Sequence, residues 1–302
     1  MRMAISIGGS TIDEVVKNTK AAEQAGFHSG WLANIFGLDA MTAIAVAGRE
    51  VSRIELGTAV VPTYSRHPFY MAQQAMSTQA ATGGRFVLGI GLSHQIVIEG
   101  ILGLSFDKPA KHMREYLTVL NGLLGQGTVT FQGDLYKVDT SFTPLERMGT
   151  TPPPVMIAAL APVMLKLAGS MTAGTITWMT GYKTIETHVV PTMGKAAAAA
   201  GRPTPRVVAG VPVSATADVD AAKDMINQTL QIYGTLPSYR AMLDKEGAAN
   251  PADVAIVGDE KTVRAAIQRY ADAGVTDFHA VVGEGIFHQG DQRTLDVLTS
   301  FL

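Results

Sequence analysis

The stretch Gly83-Gly84-Arg85-Phe86-Val87-Leu88-Gly89-Ile90-Gly91-Leu92-Ser93-His94 carries the decisive signal. Two glycines close an amphipathic pattern, a short and almost unbroken apolar run follows at once, and hydrogen-bonding side chains come directly after it. Glycine just past a helix can take the left-handed conformation that ends it, and the short link then drops the chain into a strand. A run that is apolar throughout, instead of alternating, belongs to a strand covered on both faces. The junction recurs: Ala25-Gly26 precedes His28 to Ala33, Ala173-Gly174 precedes Thr175 to Met179, and Ala273-Gly274 precedes Val275 to Val282. Repeated helix-to-strand alternation means a parallel sheet.

Working outward from that stretch, the same reading places strands near residues 2–7, 28–33, 54–61, 85–90, 154–158, 175–179, 206–213 and 276–282, with helical patterns between them. Eight such units predict an α/β fold of the (β/α)8 TIM-barrel kind, with an open doubly wound sheet as the competing architecture. Residues 1–302 read as one domain, because α/β barrels reach this length undivided. Two segments interrupt the repeat. Gly127 to Val138 alternates around Gln132-Gly133-Asp134 and predicts a β-hairpin inserted after the fourth helix. Tyr233 to Asn250 predicts an extra helical excursion before a helix that starts near Asp259. The alanine run Ala196–Ala200 is a helix interior by propensity.

Composition narrows the function classes. The 24 basic and 26 acidic residues are interspersed, and a net charge of −2 gives no field that would gather nucleic acid or an anionic membrane surface. A chain that is 47% hydrophobic and only 17% charged has a large interior to bury. The absence of cysteine excludes disulfides, thiolate metal sites and a cysteine nucleophile. No stretch approaches the roughly 18 apolar residues of a membrane-spanning helix. Met1 to Gly8 reads as a strand and not as a secretory signal, so the expected location is the cytoplasm and the expected partner a small-molecule substrate.

In a barrel the chemistry sits at the C-terminal ends of the strands. That rule selects Gly8-Gly9 after strand one, Asn34 after two, Ala59 to Arg66 after three, Gly91 to His94 after four, Ala158-Ala159-Leu160 after five, Met179 to Tyr182 after six, and Gly283-Glu284 after eight. No metal site is expected, because His94 and Glu99 lack the spacing of a two-histidine zinc helix and the other histidines are scattered. Gly89-Ile90-Gly91 lacks the third glycine and acidic partner of a dinucleotide fingerprint, and Gly8-Gly9-Ser10 lacks the lysine ending of a nucleotide-binding P-loop. With no carboxylate pair at the strand ends, a cofactor-free hydrolase is disfavoured.

The run Ile54-Glu55-Leu56-Gly57-Thr58-Ala59-Val60-Val61-Pro62 with Arg66-His67-Pro68, followed by Gly84 to Gly91, resembles the bacterial luciferase-like flavin- and F420-dependent oxidoreductases. The likeness continues through Ile157-Ala158-Ala159, Thr180-Gly181 and the inserted hairpin, so it spans most of the chain. The resemblance implies the deazaflavin coenzyme F420 as hydride carrier, with FMN as the alternative, and a homodimer. It also implies a cofactor-binding set. Gly57, Thr58, Ala59 and Val60 would form a bulge, with a non-prolyl cis bond at Ala59-Val60, that backs the central ring of the cofactor. Leu92, Ser93 and His94 would stand at the end of strand four. Ala158, Ala159 and Leu160, with Met179, Thr180, Gly181 and Tyr182, would hold the ribityl-phosphate arm, where backbone N–H groups and a threonine hydroxyl suit phosphate oxygens. Lys183 is placed to add charge there.

Two positions depart from the family pattern. A deazaflavin-dependent member carries lysine where this chain has Tyr182, and the sugar-phosphate-oxidising members carry a catalytic glutamate where this chain has His94. Imidazole titrates near neutrality, which makes His94 the candidate proton donor. Asn34 stands where related enzymes place an aspartate or histidine; it offers a hydrogen bond but no proton. His67 is either a ring-edge residue or a helix cap, Arg66 is a candidate anion contact, and Arg293 either reaches a phosphate or stays at the surface. The first reading is an oxidoreductase passing a hydride between the deazaflavin C5 and a carbonyl, alcohol or activated alkene. The mostly apolar loops Ile35–Gly37, Tyr64–Phe69 and Ile96–Leu104 favour a hydrophobic or cyclic substrate. An FMN-dependent monooxygenase on the same fold is the alternative, and a non-catalytic flavin-binding protein is a third reading, supported by the missing glutamate.

Overall fold

The computed structural model describes residues 1–141, 149–282 and 292–302. Its strands are β1 (Arg2–Ser6), β2 (Ser29–Leu32), β3 (Glu55–Thr58), β4 (Val61–Pro62), β5 (Phe86–Gly91), β6 (Thr128–Gln132), β7 (Lys137–Ser141), β8 (Val155–Ile157), β9 (Gly174–Trp178), β10 (Arg206–Ala215), β11 (Ile256–Gly258) and β12 (Asp277–Val281). Parallel pairing runs β1-β2-β3-β5-β8-β9-β10-β12 and returns from β12 to β1, so eight strands close into a TIM barrel, with β4 continuing β3 after a break. These are the eight strands read from the sequence, and the open doubly wound sheet is thereby excluded. The hairpin β6-β7 is present as expected. β11 was not foreseen. It pairs with Val213–Ala215, where the ten-residue β10 overshoots the barrel.

Helices α1 (Ile12–Ala25), α2 (Ala40–Gly48), α3 (Pro68–Ala81), α4 (Gln95–Gly100), α5 (Pro109–Gln126) and α6 (Pro162–Met171) cover the first half of the barrel. In the second half, α7 (Tyr182–Thr184) runs through a π turn (Ile185–Val189) into α8 (Val190–Ala199). It is followed by α9 (Val219–Thr229), α10 (Pro237–Glu246), α11 (Glu260–Asp272) and α12 (Gln292–Thr299). Their starts follow local chemistry. Thr11, Asp39 and Asp259 accept backbone N–H bonds at the N-caps of α1, α2 and α11, and proline, which has no N–H to waste, opens α3, α5, α6 and α10. Among the described residues no helix is long and apolar enough to cross a membrane.

The junction glycines behave as the sequence implied at three of four places, with φ of +93° at Gly26, +63° and +84° at Gly83 and Gly84, and +91° at Gly274. Gly174 is the exception. α6 closes at Thr172, and Gly174 is already the first residue of β9, where any Cβ would strike the backbone of Arg206. Close strand approach, not helix closure, requires glycine there.

Apolar residues form a shell between strands and helices and a smaller cluster inside the barrel, made of Ala4, Trp31, Val87, Met156, Ile176 and Val208. Below that cluster charge closes the N-terminal end. Arg206 bonds Glu55 at 2.8 Å and the fully buried Asp277 at 2.7 Å, and Arg2 reaches the same two carboxylates at 3.1 and 3.3 Å. A third cluster seats the excursion between β10 and β11 on Met179 and Val281, which places α10 over the C-terminal mouth. The excursion is a 3-10 turn (Gln231–Gly234), α10 and a second 3-10 turn (Pro251–Asp253).

Candidate active site

The mouth is shaped by a bulge. Gly57 pairs with Val87 and Val61 with Ile90, so Thr58, Ala59 and Val60 face only Leu88 and Gly89. The Thr58 hydroxyl replaces the interrupted ladder, donating to the Gly89 carbonyl oxygen at 2.7 Å and accepting from the Gly89 N–H at 2.9 Å. Gly89 has no alternative, because a Cβ there would strike the Thr58 carbonyl oxygen. The Ala59-Val60 bond is cis, as the resemblance implies. Ala59 and Val60 are half-buried and rest on the cluster inside the barrel, with Val60 lying over Gly91, where a Cβ would meet its methyl group. Gly57 and Thr58 lie beneath. Gly57 makes room for the Trp31 ring and Thr58 is wholly buried, so of these four residues Ala59 and Val60 alone reach the open mouth.

His94 follows the end of β5. It stands at the N-cap of α4 without making a side-chain cap bond, and its ring lies against Tyr239 at 5.8 Å and edge-on to Tyr233 at 6.2 Å. Burial among these rings lowers its pKa below the usual histidine value, so it is neutral at pH 7. Trp178, at the end of β9, meets Tyr233 edge-on at 6.2 Å. Ser93 and Met179 adopt left-handed backbone, with φ of +60° and +50°. Such conformations in non-glycine residues concentrate at functional sites. Leu92 and Ser93 are half-buried, and Met179 turns under the excursion. Sequence reasoning missed Trp178, Tyr233 and Tyr239, since only the folding of the excursion over the mouth brings them to His94.

It also missed His279 on β12. Its Nε2 lies 3.0 Å from the Ser6 hydroxyl of β1 and its ring 6.3 Å from that of Trp31. Burial lowers its pKa to about 3. The one signal available was strand periodicity, which turns His279 inward with Asp277.

Other candidates are committed elsewhere. Asn34 accepts the N–H of Ala40 at 3.0 Å and so ties the loop after β2 to the start of α2. Arg66 is ion-paired with Asp39, the N-cap of α2, and is not a free anion contact. His67 caps α3, its Nδ1 accepting the Phe69 N–H at 3.2 Å. Arg293 pairs with Glu260 on α11. Gly283-Glu284 lies outside the described residues.

The arm segments show an unexpected occupant. Ala158 is half-buried beside Gly91, Ala159 is buried, and the Leu160 carbonyl oxygen is bonded by His188 Nε2 at 2.8 Å. The Thr180 hydroxyl donates to the Trp178 carbonyl at 3.2 Å. At the start of α7 the backbone N–H groups of Lys183 and Thr184 donate to the Glu246 carboxylate at 3.2 and 2.8 Å, and the Thr184 hydroxyl adds a third bond at 2.8 Å. Any Cβ at Gly181 would collide with that carboxylate. The cations of Arg269 and Lys183 lie 5.5 and 5.9 Å from the centre of the Tyr182 ring.

The closed parallel barrel with its bulged third strand can now be set beside known proteins. The sequence model of the luciferase-like monooxygenases matches residues 2–277, and this chain belongs to that family. The chain is 28% identical over 246 residues to the 5,10-methylenetetrahydromethanopterin reductase of Methanolobus tindarius, covering 81% of this chain and 74% of that one. It is 25% identical over 310 residues to the F420-dependent glucose-6-phosphate dehydrogenase of Kineococcus radiotolerans, covering 93% and 88%. Among solved structures, the coenzyme F420-dependent tetrahydromethanopterin reductase of Methanopyrus kandleri superposes with a TM-score of 0.82 at 23% identity, over 99% of this chain and 97% of that one.

Proposed function

We propose that the protein is an F420-dependent oxidoreductase acting on a small, hydrophobic carbonyl, alcohol or activated alkene. The observation that carries the reading is the bulge from Thr58 to Val60, which sets Ala59 and Val60 as an apolar seat on top of the cluster inside the barrel. The residues fit such a cofactor at both ends. Gly91 and Ala158 present almost no side chain beneath the seat, so Val60 lies down against the backbone and the apolar seat stays low. At the arm end, the Glu246 carboxylate already stands in for an oxyanion, and the donors that hold it are of the kind that hold a phosphate.

The deazaflavin, when bound, supplies the hydride acceptor or donor. The chain supplies the rest. Ala59 and Val60 orient one ring face, leaving the other to substrate. His94, neutral at pH 7, takes the proton of a substrate hydroxyl on an imidazole nitrogen and returns it in the opposite direction. Tyr233 and Tyr239 pack against the His94 ring, with Trp178 behind Tyr233. Ile35, Phe36, Ile96 and Ile101 are 60–74% exposed in the connections that follow β2 and β5, Ile96 on α4 itself. An apolar rim of that kind supports a hydrophobic substrate.

FMN-dependent oxygenation is the second reading, favoured by the matching family description. The two separate in one experiment, in which purified protein is incubated with F420 and secondary alcohols or ketones, and in parallel with reduced FMN and oxygen. Alcohol-dependent bleaching of F420 absorbance supports the first reading. Substrate-dependent oxygen uptake with FMN and no F420 turnover replaces it with the second.

A further inference from the structure

We propose that the Ser6 hydroxyl, held in place by His279, binds the oxygen of a neutral alcohol or ketone in the mouth; this rests on the reading above that such a substrate is oxidised or reduced there. Several observations turn Ser6 inward at the right end of the barrel. It is the last residue of β1, and chemistry in a barrel sits at the C-terminal ends of the strands. Alternation along β1 puts Ala4 in the cluster inside the barrel and Met3 and Ile5 in the outer shell, so Ser6 faces the same way as Ala4. In the parallel ladder Ser6 stands beside Trp31, a member of that inner cluster. Ala4 beneath it is fully buried whereas Ser6 is half-buried, so the Ser6 side chain is where β1 meets solvent at this end.

His279 lies behind that hydroxyl, 6% exposed, with Nε2 3.0 Å from Ser6 Oγ. Its Nδ1 and the Trp178 ring stand on either side of the bare Cα of Gly210, where a Cβ would come within 3.3 Å of each. The pair therefore adjoins Trp178, which meets Tyr233 of the excursion. Val281, the next inward residue of β12, packs beneath the excursion, so His279 sits between the inner cluster and its cover. Burial keeps the imidazole neutral. A neutral ring whose Nε2–H donates to Ser6 Oγ leaves the Ser6 O–H free to donate to a substrate oxygen. That bond strengthens as the oxygen gains negative charge on losing its proton to His94. Ser6 is thus the contact, His279 a positioning residue, and neither gives up a proton. An uncharged pair offers no counter-charge to a carboxylate or phosphate, and an oxygen-free substrate would leave the hydroxyl unpaired.

The test adds cyclohexanone to the cofactor-free protein and follows the His279 ring nitrogens by NMR, their signals assigned by their loss in His279→Gln. We expect a saturable shift of the Nε2 signal in wild type, its loss in Ser6→Ala, and its retention in Ser6→Thr, which keeps the hydroxyl should the alanine variant fold poorly. With F420 bound, kcat/KM for cyclohexanol should fall roughly 10²-fold in Ser6→Ala, mostly in kcat, with Kd for F420 within about twofold of wild type. His279→Gln should fall between the two, because an amide can still donate to Ser6. No ketone shift in wild type, or a shift that survives in Ser6→Ala, would overturn the proposal. So would a Ser6→Ala protein whose F420 affinity weakens while its KM for cyclohexanol holds, since the bound oxygen would then belong to the cofactor. A ketone shift present in wild type and lost in Ser6→Ala, with no F420 bound by either protein, would uphold the role of Ser6 and remove the cofactor reading instead.

Discussion

The hydroxyl of Thr58 and the backbone of Gly89 are bonded in both directions, O–H to carbonyl at 2.7 Å and N–H to hydroxyl at 2.9 Å. One side chain thus satisfies two main-chain groups left over where three residues of one strand face two of the next. Thr58→Val keeps the shape and removes both partners, leaving a buried N–H and C=O unpaired. The expected cost is about 2–4 kcal/mol of unfolding free energy in urea denaturation, with Thr58→Ser retaining most of the stability. An equal loss for serine and valine would show that the methyl group, not the hydroxyl, matters.

The charged plug at the opposite end makes a second prediction. Arg206 is the closest cation to the fully buried Asp277, and Arg206→Met leaves that carboxylate with the Thr276 hydroxyl and, as its remaining cation, the more distant Arg2. Breaking one side of a buried pair costs about 3–5 kcal/mol, whereas ligand affinity at the mouth should stay within about twofold. Denaturation midpoints and a binding titration on the same variant separate the two effects.

Acid should weaken the fold through two histidines. Burial lowers His279 to about 3, and burial lowers His112 to about 4 despite the opposing charge of Glu115. Above pH 6.5 both are neutral in folded and unfolded chains, and they impose no penalty. As pH falls below 6.5 the unfolded chain takes up protons that the folded one refuses, so each histidine lowers stability by up to roughly 1.4 kcal/mol per pH unit until its folded value is reached. The urea midpoint should therefore drop between pH 6.5 and 4, and the slope should be shallower in His279→Gln. A slope unchanged by that substitution would remove His279 from the account.

His94 makes the kinetic prediction. If it accepts the substrate proton, kcat/KM for alcohol oxidation falls as pH drops through its pKa, which lies below 6.5 because the ring is buried. His94→Gln should lose roughly 10²–10⁴-fold in rate and abolish that limb of the profile. Loss of rate with the acid limb retained would assign the limb to another group.

The barrel was legible because glycine closures and doubly buried apolar runs are local signals, good to a residue or two at all eight strands. β11 was not, since a three-residue strand pairing only with an overshoot carries no pattern of its own. At the mouth, the bulge at Ala59-Val60 and the location of His94 were visible in the motif. The partners were not: Tyr233 and Tyr239 reach His94 across more than a hundred residues, and Glu246 reaches Thr184 across 62. Arg66 was read as an anion contact because it follows a strand end, yet a nearby N-cap carboxylate claims it, while His67 takes the helix-cap alternative that its place before Pro68 offered.

The most direct test of the central claim is fluorescence titration of the purified protein with F420 and, separately, with FMN. Saturable quenching of F420 at a lower Kd than for FMN is the predicted result. Saturable binding of neither would contradict the account, because a seat that accepts no flavin-type ring cannot be the site of flavin-type hydride transfer.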